Sequence, residues 1–215
     1  MISDRTSNLS GELKKLYYEK ASDLLFHGWH HIYLTAKKAI EFSDEYPEVN
    51  KELLEAAALT HDLNYIVQKN SEPEVGKELR YQYLSNAGFN SNEISEIESF
   101  VMEEHTATRN ANISNAAKAL SDADSLFKVM PLTPIIFSSH YIVENKVDIQ
   151  KWADKIISEQ SPLMEQGIYF YTKAANEKYL KWAKTDLELV KQVKESLDDP
   201  AIKEMLEIAY ELKVI

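Results

Sequence analysis

Residues 26–39 read FHGWHHIYLTAKKA and hold three of the chain's six histidines within five positions: His27, His30 and His31. From Trp29 to Phe42 the apolar residues recur at helical spacing, so the stretch predicts a helix with histidines in and just before its first turn. Such a cluster is a solvated patch, a packed structural group or the start of a metal site, and the rest of the chain must separate these.

The same spacing governs nearly everything else. With only five glycines in 215 residues there are few places for tight hairpins, which predicts an all-helical bundle. Upstream, a helix is expected over about Leu9–Leu25. Downstream, DEYPEVN breaks the chain and KELLEAAALTHDL (51–63) makes a third helix, whose Ala56, Ala57 and Ala58 let a neighbour approach closely. A fourth, EPEVGKELRYQYLSNAG (72–88), stops at Gly88, and Asn90 with Glu93 predicts a capping box opening a fifth, which carries Ile94, Ile97 and Val101 toward His105. TATRNANIS (106–114) reads as a loop. Ser114 then caps a sixth helix with Ala117, Leu120 and Asp124 on one stripe, ended by Pro131 and Pro134. IIFSSHYIVEN (135–145), DIQKWADKIISEQ (148–160) and the long stretch 162–197 read as further helices, with a short terminal one from Pro200. No repeat or linker interrupts the chain, so a single domain is expected over 1–215, with a core at about 20–130 and a C-terminal helical extension at about 131–215.

Bulk properties exclude several function classes. Net charge is -11, and the 24 basic residues are scattered among carboxylates, whereas a general nucleic-acid binder needs a basic stripe. The absence of cysteine removes disulfides, thiolate nucleophiles and Cys-type zinc sites. The opening MISDRTSNLSGELKK has no signal-peptide pattern and no apolar run reaches membrane-spanning length, so a soluble, cytoplasmic protein with no membrane partner is expected. A small anionic substrate stays compatible with the charge, because a bound cation and a few local donors can meet it.

After His31 the next histidine is His61, followed at once by Asp62 in ALTHDLNY, and LSDADSLF later offers Asp122 and Asp124. A cation among these residues gains two imidazole nitrogens and two carboxylate oxygens from three helices. That donor set suits one Mn²⁺, Fe²⁺, Zn²⁺, Co²⁺ or Ni²⁺ better than Ca²⁺. Asp122 is the runner-up to Asp124; it should face another side of the helix and serve as a surface charge. His30 reads as solvated or packed, and His140 as structural.

The order His, His-Asp, distant Asp resembles the HD-domain metal-dependent phosphohydrolase superfamily. HGWHHIYLTAKKA is similar to the H-D-W-x-H-I-x-R-V opening of a small subgroup of these hydrolases, ALTHDLNY to its A-L-L-H-D-I, EEHTATRN to its second H-S turn and LSDADSLFKV to its Q-D-A-D-R-L-D-A. The stretch from Ser161 to Leu187 resembles the subgroup's M-x-T-x-x-G-x-x-x-A-x-x-R helix, so the likeness spans about residues 20–197. It implies an all-α HD bundle with His31, His61, Asp62 and Asp124 as ligands of one divalent metal. Tyr33-Leu34 stand where the subgroup has Arg-Val, Ser125, Leu126 and Phe127 where it has R-L-D, and Tyr65 where some nucleotidases of the superfamily have a glutamate.

The function implied is hydrolysis of a small phosphate ester or anhydride, a nucleotide foremost, by a metal-activated water. Asp62 would orient that water. His105, the only histidine between the His-Asp pair and Asp124, argues for one metal and is a candidate to meet a phosphate or leaving-group oxygen. His27, Arg109 and Lys128 are the candidate substrate contacts; Glu104 would orient His105, act as a base or be plain surface charge. The alternatives are an HD-fold phosphodiesterase acting on a cyclic or linear dinucleotide, a di-iron oxygenase, and a non-catalytic metal-containing sensor.

Overall fold

Eleven α-helices succeed one another in the computed structural model, which describes residues 4–107 and 109–214: α1 (Asp4–Glu19), α2 (Trp29–Phe42), α3 (Lys51–Thr60), α4 (Leu63–Val67), α5 (Lys77–Asn86), α6 (Ser91–Glu104), α7 (Asn115–Val129), α8 (Ser138–Asn145), α9 (Ile149–Glu165), α10 (Lys173–Ser196) and α11 (Pro200–Glu211). No strand occurs among the described residues. Thr108, within the expected loop at 106–114, lies outside them.

Helix α7 is the axis. Twelve of its fifteen residues are buried, among them Ser121, Asp122, Asp124 and Ser125, and it packs against α2, α3, α6 and α10. An apolar helix can afford such polar residues only where each finds partners, so its buried carboxylates mark positions with a stated task. Around it, Leu13, Ile32, Leu54, Ile97 and Leu120 join one large apolar cluster, while Phe26, Phe127, Tyr141, Trp152, Ala153 and Val190 form a second between the first 130 residues and the C-terminal helices. Phe127 is 2 % exposed, and truncating a buried phenylalanine to alanine costs about 3–5 kcal/mol.

Local signals act as their chemistry dictates. Asn90 accepts from Asn92 N and Glu93 N while Glu93 accepts from Asn90 N, closing the expected capping box. Gly88 takes φ +93, and the bonds from Gly88 N to Ser85 O and from Phe89 N to Leu84 O end α5 in a Schellman turn. Ala56, Ala57 and Ala58 are fully buried where α3 meets its neighbours.

Several boundaries differ from the sequence reading. Helix α1 ends at Glu19 rather than near Leu25; the chain turns through residues 20–28 so that Leu24 and Phe26 reach the interior, and Phe26 N donates to the buried Glu144 at 2.7 Å. The third expected helix breaks at His61-Asp62 and resumes as α4. The fourth opens with a 3₁₀ turn over Pro73–Gly76 before α5 begins. Pro162 lies inside α9, and the break falls after Glu165, where Gly167 has φ +70. Among the described residues no single helix is long and apolar enough to cross a membrane.

Candidate metal centre

Three short pieces of backbone aim the candidate ligands. His31 sits in the first turn of α2, its N–H bonded to Gly28 O at 3.0 Å. His61 closes α3 in helical geometry, and Asp62 then leaves it at φ -96, ψ 16; this break lets two consecutive side chains turn to one point. Asp124 arrives from the middle of α7.

Their atoms converge. His31 Nε2 lies 3.2 Å from His61 Nε2, 3.0 Å from Asp62 Oδ2 and 3.4 Å from Asp124 Oδ1. His61 Nε2 lies 3.3 Å from Asp62 Oδ2 and 3.9 Å from Asp124 Oδ1. His31, His61 and Asp62 alone offer three donor atoms within 4.8 Å of one another. Asp62 Oδ2 is close to both imidazoles and buried without a hydrogen bond that meets the geometry, while His31 Nε2 and His61 Nε2 lie at hydrogen-bond distance from each other. His61 Nδ1 donates to Ala58 O at 2.9 Å, which leaves its Nε2 lone pair facing the point of convergence. His31 is held by packing, its ring 4.6 Å from that of Phe127 and stacked near Phe26. Two imidazoles and two carboxylates, with no thiolate and no neutral carbonyl in the set, fit a divalent transition metal.

The electrostatics agree. Burial alone would raise the Asp62 carboxyl, but His61 and His31 outweigh it and hold the group well below the ordinary carboxylate range. Asp124 is likewise lowered against burial by Lys128, His31 and His61, and Lys128 Nζ lies 2.7 Å from its Oδ2. Burial would lower the Lys128 ammonium, yet Asp124 raises it, so the pair stays charged. Glu104 behaves oppositely: burial, then the nearby Asp124 charge, push its carboxyl up to about 8, and its Oε2 is buried with no hydrogen bond.

The centre lies against a cleft of about 970 Å³, open mouth included. His61, Asp62, Asp124, His105, Lys128 and His27 all line it. His105 follows the last turn of α6, with Nδ1 3.4 Å from Glu72 Oε2, and burial lowers its pKa. His27 is buried, stacked on Tyr65 at 3.6 Å, and its Nδ1 contacts Glu144. Lys128 Nζ also donates to Thr106 Oγ1 at 3.2 Å.

Arg109 does not join them. Its guanidinium is buried, bonding Ser121 Oγ, Ser125 Oγ at 3.0 Å and Tyr169 O at 3.3 Å, so its donors tie α7 to the segment before α10 and none faces the cleft. Asp122 is no surface charge either. Fully buried, it accepts from Tyr171 N at 2.8 Å, Thr172 N at 2.8 Å and Thr172 Oγ1 at 2.7 Å, clasping the residue that caps α10. His30 packs on Phe137 at 5.1 Å and 13° between ring planes, as one of its two expected roles.

The cleft is completed by residues beyond the ligand motifs: Tyr141 of α8, Trp152, Lys155, Ile156 and Glu159 of α9, and Asp186 of α10. The α9 residues follow an i, i+3, i+4, i+7 spacing, the one sequence signal that groups them on a single face.

Fold and centre together define a helical domain with a His, His-Asp, Asp candidate site for one divalent cation. Residues 28–128 match the HD domain model, so this span is an HD domain, a kind of domain that in general indicates a metal-dependent phosphohydrolase and binds divalent metals. No curated protein and no solved structure matches the chain.

Proposed function

We propose that this protein is a metal-dependent phosphohydrolase acting on a phosphate ester or anhydride of a small molecule, with a nucleotide as the favoured substrate. The observation that carries the reading is the convergence of two imidazole nitrogens with two carboxylate oxygens that lie 3.0–3.9 Å from them, against a cleft lined by Lys128, His105 and the rings of Tyr65, Tyr141 and Trp152. A divalent cation held by His31, His61, Asp62 and Asp124 supplies an activated water and a Lewis acid for a phosphoryl oxygen.

The chain's own residues do the rest. Asp62, ionised and partnered by imidazoles, accepts a hydrogen bond from the attacking water and orients it. Lys128 and His105 donate to phosphoryl oxygens, Lys128 with a charge that Asp124 maintains. Glu104, whose carboxyl is raised by burial and then by the Asp124 charge and which lines the cleft, is the group placed to donate a proton to the leaving oxygen. Tyr65, Tyr141 and Trp152 give a planar group an apolar wall to lie against and keep bulk water from the reacting phosphate.

The test is turnover of a panel of nucleoside mono-, di- and triphosphates with Mn²⁺, alongside metal content. Release of phosphate that is lost in Asp62→Ala supports the reading. Protein that binds about one Mn²⁺ per chain yet turns over no member of the panel overturns it in favour of a sensor.

A further inference from the structure

Glu144 is 2 % exposed, with its carboxylate entirely out of solvent, in the last turn of α8. A carboxylate there is costly twice: it is desolvated, and it faces the negative end of the helix dipole. Its partners all lie more than 110 residues away. Oε2 accepts from Phe26 N at 2.7 Å and His27 N at 3.3 Å, and Oε1 meets His27 Nδ1 at 2.5 Å. With every close neighbour a donor, the group is ionised; burial raises its carboxyl, but His27 and the two backbone N–H groups outweigh that and lower it. An ionised carboxylate can only accept, so the proton of the contact sits on His27 Nδ1. The ring is clamped further by Tyr65, stacked at 3.6 Å and 20°, with Phe26 edge-on at 5.0 Å. Nε2 has no hydrogen-bond partner among the described residues, and the ring lines the cleft 6.1 Å from the ring of His31.

We propose that Glu144 is a positioning residue that locks His27 in its Nδ1-protonated tautomer and so presents the Nε2 lone pair to the substrate as a hydrogen-bond acceptor. The group it meets carries a donor: a hydroxyl or N–H beside the phosphate. His27 and Glu144 both fall outside the matched span of residues 28–128, His27 in the turn at 20–28 and Glu144 in α8. The substrate role of Nε2 rests on the phosphohydrolase reading; the tautomer does not.

Glu144→Gln keeps size and one acceptor but turns an N–H₂ toward the ring, which moves the ring proton to Nε2 and makes an acceptor into a donor. Histidine ¹⁵N shifts at alkaline pH should report His27 as Nδ1-protonated in the wild type and Nε2-protonated in Glu144→Gln. Mn²⁺ content should stay unchanged, because neither residue joins the metal set. On the best substrate of the nucleotide panel kcat/KM should fall about 100-fold, the loss expected when a buried acceptor becomes a donor. Glu144→Asp, still an acceptor, should keep the wild-type tautomer and recover part of the rate, and Glu144→Gln should cost nothing further in His27→Phe. If the wild-type ring is Nε2-protonated, or Glu144→Gln leaves the tautomer unchanged, the lock is wrong even if phosphate is released. If the tautomer switches while kcat/KM holds, Nε2 does not meet substrate. Should Glu144→Gln fail to fold, the wild-type shifts and Glu144→Asp still decide. A wild type that hydrolyses nothing sinks the proposed function and the substrate role of Nε2, while the shifts still decide the lock.

Discussion

Asp122 and Asp124 stand two residues apart on α7, and Asn at each position separates metal binding from folding. Asp124 Oδ1 reaches both imidazoles, whereas Asp122 spends its oxygens on Tyr171 and Thr172. Mn²⁺ supplied at 100 times its dissociation constant stabilises the native state by about 2.7 kcal/mol. For a chain of this size that is a rise in melting temperature of about 5–10 °C. Replacing one of four donors by an amide should weaken binding at least as much as losing an outer partner at the top of its range, about 100-fold. At the same Mn²⁺ concentration the stabilisation is then about 0.4 kcal/mol, or about 1 °C. Asp122→Asn should melt lower than the wild type, having lost the bond to Tyr171 N or those to Thr172, yet keep the full metal-dependent rise. The assay is thermal unfolding with Mn²⁺ and with chelator on the three proteins. An undiminished rise in Asp124→Asn, or its loss in Asp122→Asn, would refute the assignment of the last ligand.

Three further outcomes follow from the same geometry. His31→Ala should lose Mn²⁺ and turnover together, while His30→Ala, which removes only packing against Phe137 and Phe127, should keep both by elemental analysis and phosphate release; the reverse pattern would shift the register of the first ligand. Arg109→Lys cannot bond Ser121, Ser125 and Tyr169 O at once and should cost about 2–4 kcal/mol in urea unfolding with KM unchanged; a raised KM at full stability would put the guanidinium on the substrate. Burial raises the Asp186 carboxyl to about 6, so its contribution to stability is present below about pH 3.8 and is lost as pH rises through about 6. Asp186→Asn should therefore match the wild type near pH 3.5 and exceed it by about 1–2 kcal/mol at pH 7, and a gap that does not change with pH would contradict this.

What was legible in the sequence is what depends on near neighbours. Helical spacing, the Asn90–Glu93 box and the glycine stop at Gly88 are written within a few residues, and the structure repeats them. The convergence of His31, His61 and Asp62 follows from a motif order that marks them without contact information. Arg109 and Asp122 were misread for the opposite reason. Arginine beside a candidate histidine suits phosphate, and an aspartate off the ligand stripe suits solvent, but both face a chain segment some 50–60 residues downstream whose approach no local pattern announces. The end of α1 was missed likewise, because the pull on Phe26 comes from Glu144, 118 residues away.

The Asp122 clasp also bears on how this chain can be cut. A fragment ending at Met130 would contain all four candidate ligands and the whole stretch that matches the HD domain, yet Asp122 would lose its three donors, Arg109 would lose Tyr169 O, and Phe26 and Phe127 would lose Tyr141, Trp152, Ala153 and Val190. Baring two phenylalanines and breaking those bonds costs several kcal/mol, comparable to the whole margin by which such chains stay folded. The span that similarity recognises is thus shorter than the span that can stand alone, and any transplant of this centre into another scaffold must carry residues 169–172 with it.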